Sequence, residues 1–305
     1  MTSPLRAGVI GAGVFGGYHA AKWAALPGAT LTAVHDPHID RARALAEPLG
    51  AAAAVDAAAF FAAVDIVSIA SPAESHAGWA LAALKAGKSV YVEKPLAIDL
   101  GEADAIAGEA ARRGLIVACG FLERAAFRAL GLFDAPEAPL MMEAVRLGSP
   151  SPRNLDVSVI LDLMIHDLDL ALALGAGTPF AVEAEGACVA NDQTDWAKAE
   201  VTFDDGFTAG FHASRIAETA ERSLRLVYPS GEVRVNLLTG AVENGAGFAL
   251  NPGFAATDAG RDRLGASLAA FLAAARGEAP RPLADALDGI RALDLALAVQ
   301  QAVGG

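Results

Sequence analysis

The sequence predicts two parts of different fold class. Residues 1–121 read as an α/β domain on a doubly wound parallel sheet, and residues 122–305 as an α+β domain with a mainly antiparallel open sheet. Three observations carry this division. Strand-like apolar runs alternate with helical periodicity through the first part, as parallel strands joined by crossovers require. The first crossover opens on a glycine-rich turn, Gly11-Ala12-Gly13-Val14-Phe15-Gly16. Beyond Met141, short strands follow one another with only turn residues between them.

Composition narrows the classes of function. A chain of 305 residues that is 54% hydrophobic has ample material for more than one core. Its formal net charge of −13, from 36 acidic and 23 basic residues, repels phosphate backbones and argues against nucleic acid as a partner. No apolar run reaches the length of a membrane span. The N-terminus passes almost at once into a strand and lacks a signal-peptide layout. Cys119 and Cys188 sit in apolar, strand-like surroundings and read as buried thiols, which fits a reducing, cytoplasmic setting.

Leu5 to Ile10 is the first strand, and a helix runs from about Val14 until Pro27-Gly28 ends it. Between them lies the turn of a Rossmann dinucleotide site. Gly11 permits the tight turn, Gly13 lets a pyrophosphate reach the backbone, and Gly16 lets helix and strand pack closely. Helix N–H groups starting at Val14 and Phe15 then face the phosphates. The second strand, Thr30 to Val34, ends in His35-Asp36-Pro37. Asp36 stands where an acidic residue accepts from the adenosine ribose hydroxyls and repels a 2′-phosphate, with no Lys or Arg directly after it. NAD is therefore favoured over NADP. The alternative role of Asp36 is a turn former or helix N-cap.

Asp65 to Ala70 is a buried strand, after which Ser71-Pro72 and His76 lead into a helix that closes at Ala86-Gly87-Lys88. Ser89 to Val92 is the next strand and delivers Glu93-Lys94-Pro95. Proline ends the ladder because it has no N–H to donate. A lysine fixed at the end of a rigid strand is placed for chemistry, since desolvation lowers its pKa. A surface turn with a solvated Glu–Lys pair is the competing reading. Ser71-Pro72 and Lys94-Pro95 both fall at carboxyl ends of strands, where ligands bind in such sheets. A helix over Leu100–Arg113 and a strand over Leu115–Cys119 complete the domain, and Gly120 to Arg124 is the crossing.

In the second part, Met141 to Leu147 is a strand, followed by a polar loop through Arg153 and Asn154. A very apolar helix runs from about Asp156–Ser158 to Gly175 and carries Asp162, His166, Asp167 and Asp169. Positions 162, 166 and 169 are spaced to share one face. Ionisable groups on a buried helix need partners or a task. Three readings stand: a satisfied structural network, a metal site of Asp162, His166 and Asp169, or an acid/base pair with an orienting carboxylate. No further His or Cys cluster completes the metal reading, so no metal is expected. Strands follow at about 182–190, 196–203, 208–214, 223–228 and 232–237. The turns Asp204-Asp205-Gly206 and Pro229-Ser230-Gly231 are the hairpin signals among them. Helices over about 260–276 and 282–303 end the chain.

The run from Ile69-Ala70-Ser71-Pro72 through His76, Ala86-Gly87-Lys88 and Glu93-Lys94-Pro95-Leu96-Ala97, together with the glycine turn, resembles the glucose–fructose oxidoreductase / inositol dehydrogenase (Gfo/Idh/MocA) family. The resemblance implies that Lys94 is an active-site residue near the nicotinamide and that Ser71, Pro72, His76 and Glu93 belong to the cofactor-binding set; the competing reading of His76 is a helix-start residue. It implies that Asp162 and His166 are the acid/base pair of the second domain. Arg124 is read as a substrate-facing charge or a surface arginine, and Arg153 and Asn154 as substrate contacts. The family acts on sugars, cyclitols and nucleotide sugars and often forms dimers or tetramers through its C-terminal sheet. The block Asp156 to Asp167, with Tyr18-His19-Ala20, looks most like members that oxidise position 3 of UDP-N-acetylglucosamine. Ser158-Val159-Ile160-Leu161 departs from the family, many members of which carry a glycine pair here. The rival reading is a non-catalytic NAD-binding sensor on the same fold. Such proteins tend to lose the lysine or the histidine, and this chain keeps both.

Overall fold

The computed structural model describes residues 3–150, 157–190 and 192–304. The chain divides into two compact units: Met1–Leu122 with Asp262–Ile290, and Glu123–Arg261 with Arg291–Gly305.

The first unit holds strands β1 (Leu5–Ile10), β2 (Ala29–His35), β3 (Ala52–Ala54), β4 (Ile66–Ile69), β5 (Ser89–Val92) and β6 (Val117–Cys119). They form one parallel sheet in the order β3-β2-β1-β4-β5-β6. Helices α1 (Val14–Ala25), α2 (Ile39–Ala46), α3 (Ala57–Ala63), α4 (His76–Lys85) and α5 (Leu100–Arg113) make the crossovers. β4 and β5 are buried at every position, as a parallel sheet covered on both faces demands. The strand order reverses between β1 and β4, which is the topological switch point of this fold.

The second unit begins with α6 (Glu123–Leu130) and β7 (Met141–Leu147). A π-helical turn over Ile160–Met164 then continues directly into α7 (Ile165–Leu174). β8 (Pro179–Ala187), β9 (Trp196–Phe203), β10 (Thr208–Ser214), β11 (Glu221–Tyr228), β12 (Gly231–Asn236) and β13 (Val242–Asn244) follow, and α8 (Asp258–Arg261) closes the stretch. The sheet order is β13-β12-β11-β7-β10-β9-β8. Every pairing is antiparallel except β7 with β10. Alternation puts Met142, Ala144 and Arg146 of β7 and Ala209, Phe211 and Ala213 of β10 on the buried face. At the β9–β10 hairpin Gly206 takes φ +88°, a left-handed conformation that glycine adopts at no steric cost.

Two expectations need correction. Residues 122–305 do not form one unit, because α9 (Arg263–Ala275) belongs with the first sheet. Its stripe of Leu264, Leu268, Phe271 and Leu272 completes a core with Val9, Trp23, Leu31 and Tyr91. The last helix, α10 (Ala286–Gly304), is continuous across the division after Ile290. Cys188 is also not a buried thiol: β8 ends at Ala187, and Cys188 lies exposed just beyond it, whereas Cys119 is buried on β6. Among the described residues no helix is long and apolar enough to cross a membrane.

Candidate active site

In the first unit the glycine turn has the shape a dinucleotide needs. Gly11 takes φ +97°, and a Cβ there would meet the Ala70 carbonyl oxygen at 2.7 Å. A Cβ on Gly16 would stand 1.8 Å from the Gly11 carbonyl oxygen, so helix α1 sits directly on the turn. At Gly13, by contrast, a Cβ would meet nothing within 4 Å, which leaves the approach to the backbone open. Gly13 is the N-cap of α1 and carries no side-chain cap, and the first turn has no acidic residue. The leading N–H groups of α1 thus keep their affinity for an anion. Val14 and Phe15 are exposed at this end. These features fit the pyrophosphate of NAD.

Asp36 closes the same corner. One carboxylate oxygen accepts from the Ala12 N–H of the turn at 2.8 Å, and the other accepts from the His38 N–H at 2.8 Å. It is therefore a turn former, and it also fixes the glycine turn to the end of β2. Each oxygen keeps a second lone pair, which suits it to ribose hydroxyls.

The ends of β4 and β5 lie beside this corner. Ser71 Oγ is 2.7 Å from Ser75 Oγ, and Ser75 Oγ donates to the Pro72 carbonyl at 2.7 Å. Glu93 and Lys94 are not a solvated surface pair. Glu93 is buried, and its Oε1 lies 2.8 Å from His19 Nε2. The His19 ring, itself fully buried, packs edge-on against Tyr91. Glu93 thus sends its carboxylate inward to His19 of α1. Gly120 makes room for it, since a Cβ there would come within 2.7 Å of Oε2. Lys94 is half-buried at the exit of β5. His76 is also reassigned. Its ring is buried with Nδ1 2.7 Å from the Pro95 carbonyl and Nε2 2.9 Å from the Ser71 carbonyl, so both nitrogens are taken by backbone. Burial pushes the His76 imidazole below its ordinary range, and the two carbonyls and Glu93 only partly offset this.

In the second unit, Asp162 lies within the π-helical turn and His166 at the start of α7, and both are half-buried. Asp169, expected on the same face, is buried elsewhere. It receives Arg124 Nε at 2.8 Å and Nη2 at 2.7 Å. Asp162 lies within the π turn, which changes its spacing to α7, while His166 and Asp169 both stand on α7. The Arg124 pair removes Asp169 from any metal set with Asp162 and His166. It bears on Arg124 as well: its guanidinium is buried in a bidentate pair with Asp169 and does not lie on the surface. Arg153 and Asn154 lie outside the described residues.

Sequence reasoning missed the groups that hold this helix. Arg146 of β7 donates from Nε and Nη2 to Asp167 at 2.9 and 2.7 Å, and from Nη1 to Glu123 at 3.2 Å. Burial opposes its charge, yet the two carboxylates hold it protonated above the usual guanidinium range. At the other end, Arg215 donates to Asp195 at 2.8 Å, to the Val157 carbonyl at 2.9 Å and to the Thr194 carbonyl at 3.0 Å. Burial alone would raise the Asp195 pKa. The Ala190 and Val189 N–H groups and Arg215 win, and hold it below the usual carboxylate range. Ser158 Oγ accepts from the Leu161 N–H and donates to Gln300. The available signal was Arg146 itself, an arginine at an inward position of an alternating strand.

Residues 5–121 match the oxidoreductase family with an NAD-binding Rossmann fold, and residues 147–234 match the GFO/IDH/MocA C-terminal domain. The chain belongs to the Gfo/Idh/MocA family and is an NAD-dependent dehydrogenase. It is 38% identical to the UDP-N-acetylglucosamine 3-dehydrogenase of Acidithiobacillus ferrooxidans, over 98% of this chain and 97% of that one. The crystal structure of that enzyme matches with a TM-score of 0.90, 36% identity, and coverage of 99% of this chain and 98% of the other. The scyllo-inositol 2-dehydrogenase (NAD(+)) of Bacillus subtilis is 30% identical over 70% of this chain and 68% of its own. The WlbA dehydrogenase of Bordetella pertussis, in complex with NADH and UDP-GlcNAcA, matches at a TM-score of 0.86 over 100% of this chain and 96% of its own. At 18% identity it shows a shared fold.

Proposed function

We propose that the chain oxidises a secondary hydroxyl of a nucleotide sugar, with position 3 of UDP-N-acetylglucosamine as the leading case and NAD as the cofactor. One observation carries the choice. Likeness to the UDP-N-acetylglucosamine 3-dehydrogenase extends over 98% of the chain, whereas likeness to the inositol dehydrogenase of Bacillus subtilis stops at 70%. In sequence, the likeness to the nucleotide-sugar enzyme runs through the second unit as well as the first.

The glycine turn and the α1 N-terminus would hold the pyrophosphate, and Asp36 the adenosine ribose. When bound, NAD supplies the hydride acceptor. His166 takes the hydroxyl proton as the carbon becomes a ketone, and Asp162, one turn earlier, orients the imidazole and stabilises its charged form. Lys94, at the exit of β5, is the group proposed to polarise the substrate oxygen. Arg153 and Asn154 remain proposed substrate contacts. We read the enzyme as cytoplasmic and as a homodimer or homotetramer through the outer face of the second unit's sheet. Half-exposed Met141, Val145 and Leu147 of β7 and Val227 of β11 support that reading. Light scattering after gel filtration tests it, and a monomer contradicts it.

The substrate test is a panel of UDP-sugars, free sugars and inositols with NAD, followed by NADH absorbance. UDP-N-acetylglucosamine should give the highest kcat/KM. Turnover of inositols alone would overturn the proposal. Tight NAD binding without turnover on any panel member would favour the sensor reading instead.

A further inference from the structure

The His76 ring sits between the two loops that leave β4 and β5. Nδ1 reaches the Pro95 carbonyl at 2.7 Å and Nε2 reaches the Ser71 carbonyl at 2.9 Å. One loop carries Ser71-Pro72 and the other carries Lys94-Pro95. β4 and β5 are hydrogen-bonded as far as Ile69 and Val92. One more backbone bond runs from the Glu93 N–H to the Ile69 carbonyl at 2.9 Å, and beyond it the imidazole bridges the two strands' extensions. The ring is buried, so water does not substitute for either contact. The charged groups acting on it are Glu93 and Lys94, both from the end of β5.

We propose that His76 is a positioning residue: its two ring nitrogens tie the Ser71–Pro72 loop to the Lys94–Pro95 turn, so that cofactor loop and lysine are held as one piece. The inference rests on the dehydrogenase reading for its consequences in turnover, while the tie itself does not. A neutral imidazole has one N–H and donates to one carbonyl at a time. Its other nitrogen then meets a carbonyl oxygen in contact only, so each tautomer holds one loop by a hydrogen bond and the other by packing. Protonation would make both bonds at once, but burial opposes it.

The test exploits the two nitrogens separately. Asn places its amide nitrogen near the Nδ1 position and Gln near Nε2. His76→Asn should keep the tie to Pro95 and release the Ser71 loop. His76→Gln should keep the tie to Ser71 and release the lysine turn. His76→Phe fills the space and keeps neither. NAD affinity by calorimetry should weaken in the Asn and Phe variants by up to about tenfold, the value of one hydrogen bond. kcat should fall by a similar factor in the Gln and Phe variants. Hydrogen exchange over peptides spanning residues 71–76 and 94–97, measured without substrate, should rise in the first segment for Asn, in the second for Gln, and in both for Phe. A His76→Phe variant with wild-type NAD affinity, kcat and exchange would overturn the proposal. So would Asn and Gln variants that change both segments alike. A wild-type enzyme inactive on every substrate would sink the proposed function and leave the exchange and NAD-affinity readings to decide on the tie.

Discussion

Lys94 and His76 show how a charge is made useful at the end of a strand. β5 buries Val90, Tyr91 and Val92, and beyond it Glu93 turns in while Lys94 is half-exposed. Lys94→Ala should lower kcat by about 10²–10⁴-fold, the range of a positioned proton-transfer or polarising group. NAD affinity, measured by calorimetry, should change little, and full turnover in this variant would remove Lys94 from the mechanism. His76 and Asp195 make stability depend on pH, in adjoining windows. A histidine with a lowered folded pKa leaves the unfolded chain to bind the proton first. Its contribution is complete above the unfolded value of 6.5 and declines as pH falls below it. Asp195, with a lowered pKa, contributes above the unfolded value of 3.8 and loses that contribution as pH falls through the folded value. The thermal midpoint should thus be flat above about pH 6.5 and fall in two stages on acidification. Asp195→Asn should flatten the lower stage, and an unchanged profile in that variant would contradict the assignment.

At the scale of the element, the decisive piece is the helix that carries Asp162 and His166. Arg124 on Asp169, Arg146 on Asp167 and Glu123, and Arg215 on Asp195 and the Val157 carbonyl fix it along its length. Arg146→Met should cost about 3–5 kcal/mol in urea unfolding, because it leaves two buried carboxylates without their cation. Adding Asp167→Asn should recover part of that loss, and a single variant near wild-type stability would show that the pairs are incidental. Much of this was legible in part. The alternation in Met142-Glu143-Ala144-Val145-Arg146 already turns Arg146 inward, and a very apolar helix with four titratable groups already demands partners. Which carboxylate meets which arginine was not legible, because the partners come from α6 and β7, far along the chain, and nothing local in Val159-Ile160-Leu161 announces the π turn that precedes α7. β3 was missed for a related reason: Ala52-Ala53-Ala54 is a strand made by its pairing with β2 and not by propensity.

At the scale of the whole molecule, the glycine turn, the strand–helix alternation and the hairpin signals were enough to read both sheets, since each rests on local chemistry. The return of α9 to the first unit was not readable, because an apolar stripe specifies that it must be covered and not by what. Phe271→Ala should cost about 3–5 kcal/mol and destabilise the first unit, since its ring packs against Trp23 and Tyr91. NAD at a hundredfold excess over its Kd should restore about 2.7 kcal/mol of that loss by mass action. Calorimetric scans with and without NAD check both statements, and a midpoint that does not respond to NAD would contradict them.

The central claim, hydride transfer from position 3 of UDP-N-acetylglucosamine to NAD, is tested most directly with substrate deuterated at C3. Mass spectrometry of the reduced cofactor should find the deuterium on the nicotinamide, together with a slower rate than for unlabelled sugar and loss of both signals in Lys94→Ala. Unlabelled NADH, or no NADH from this sugar while another substrate turns over, would contradict it.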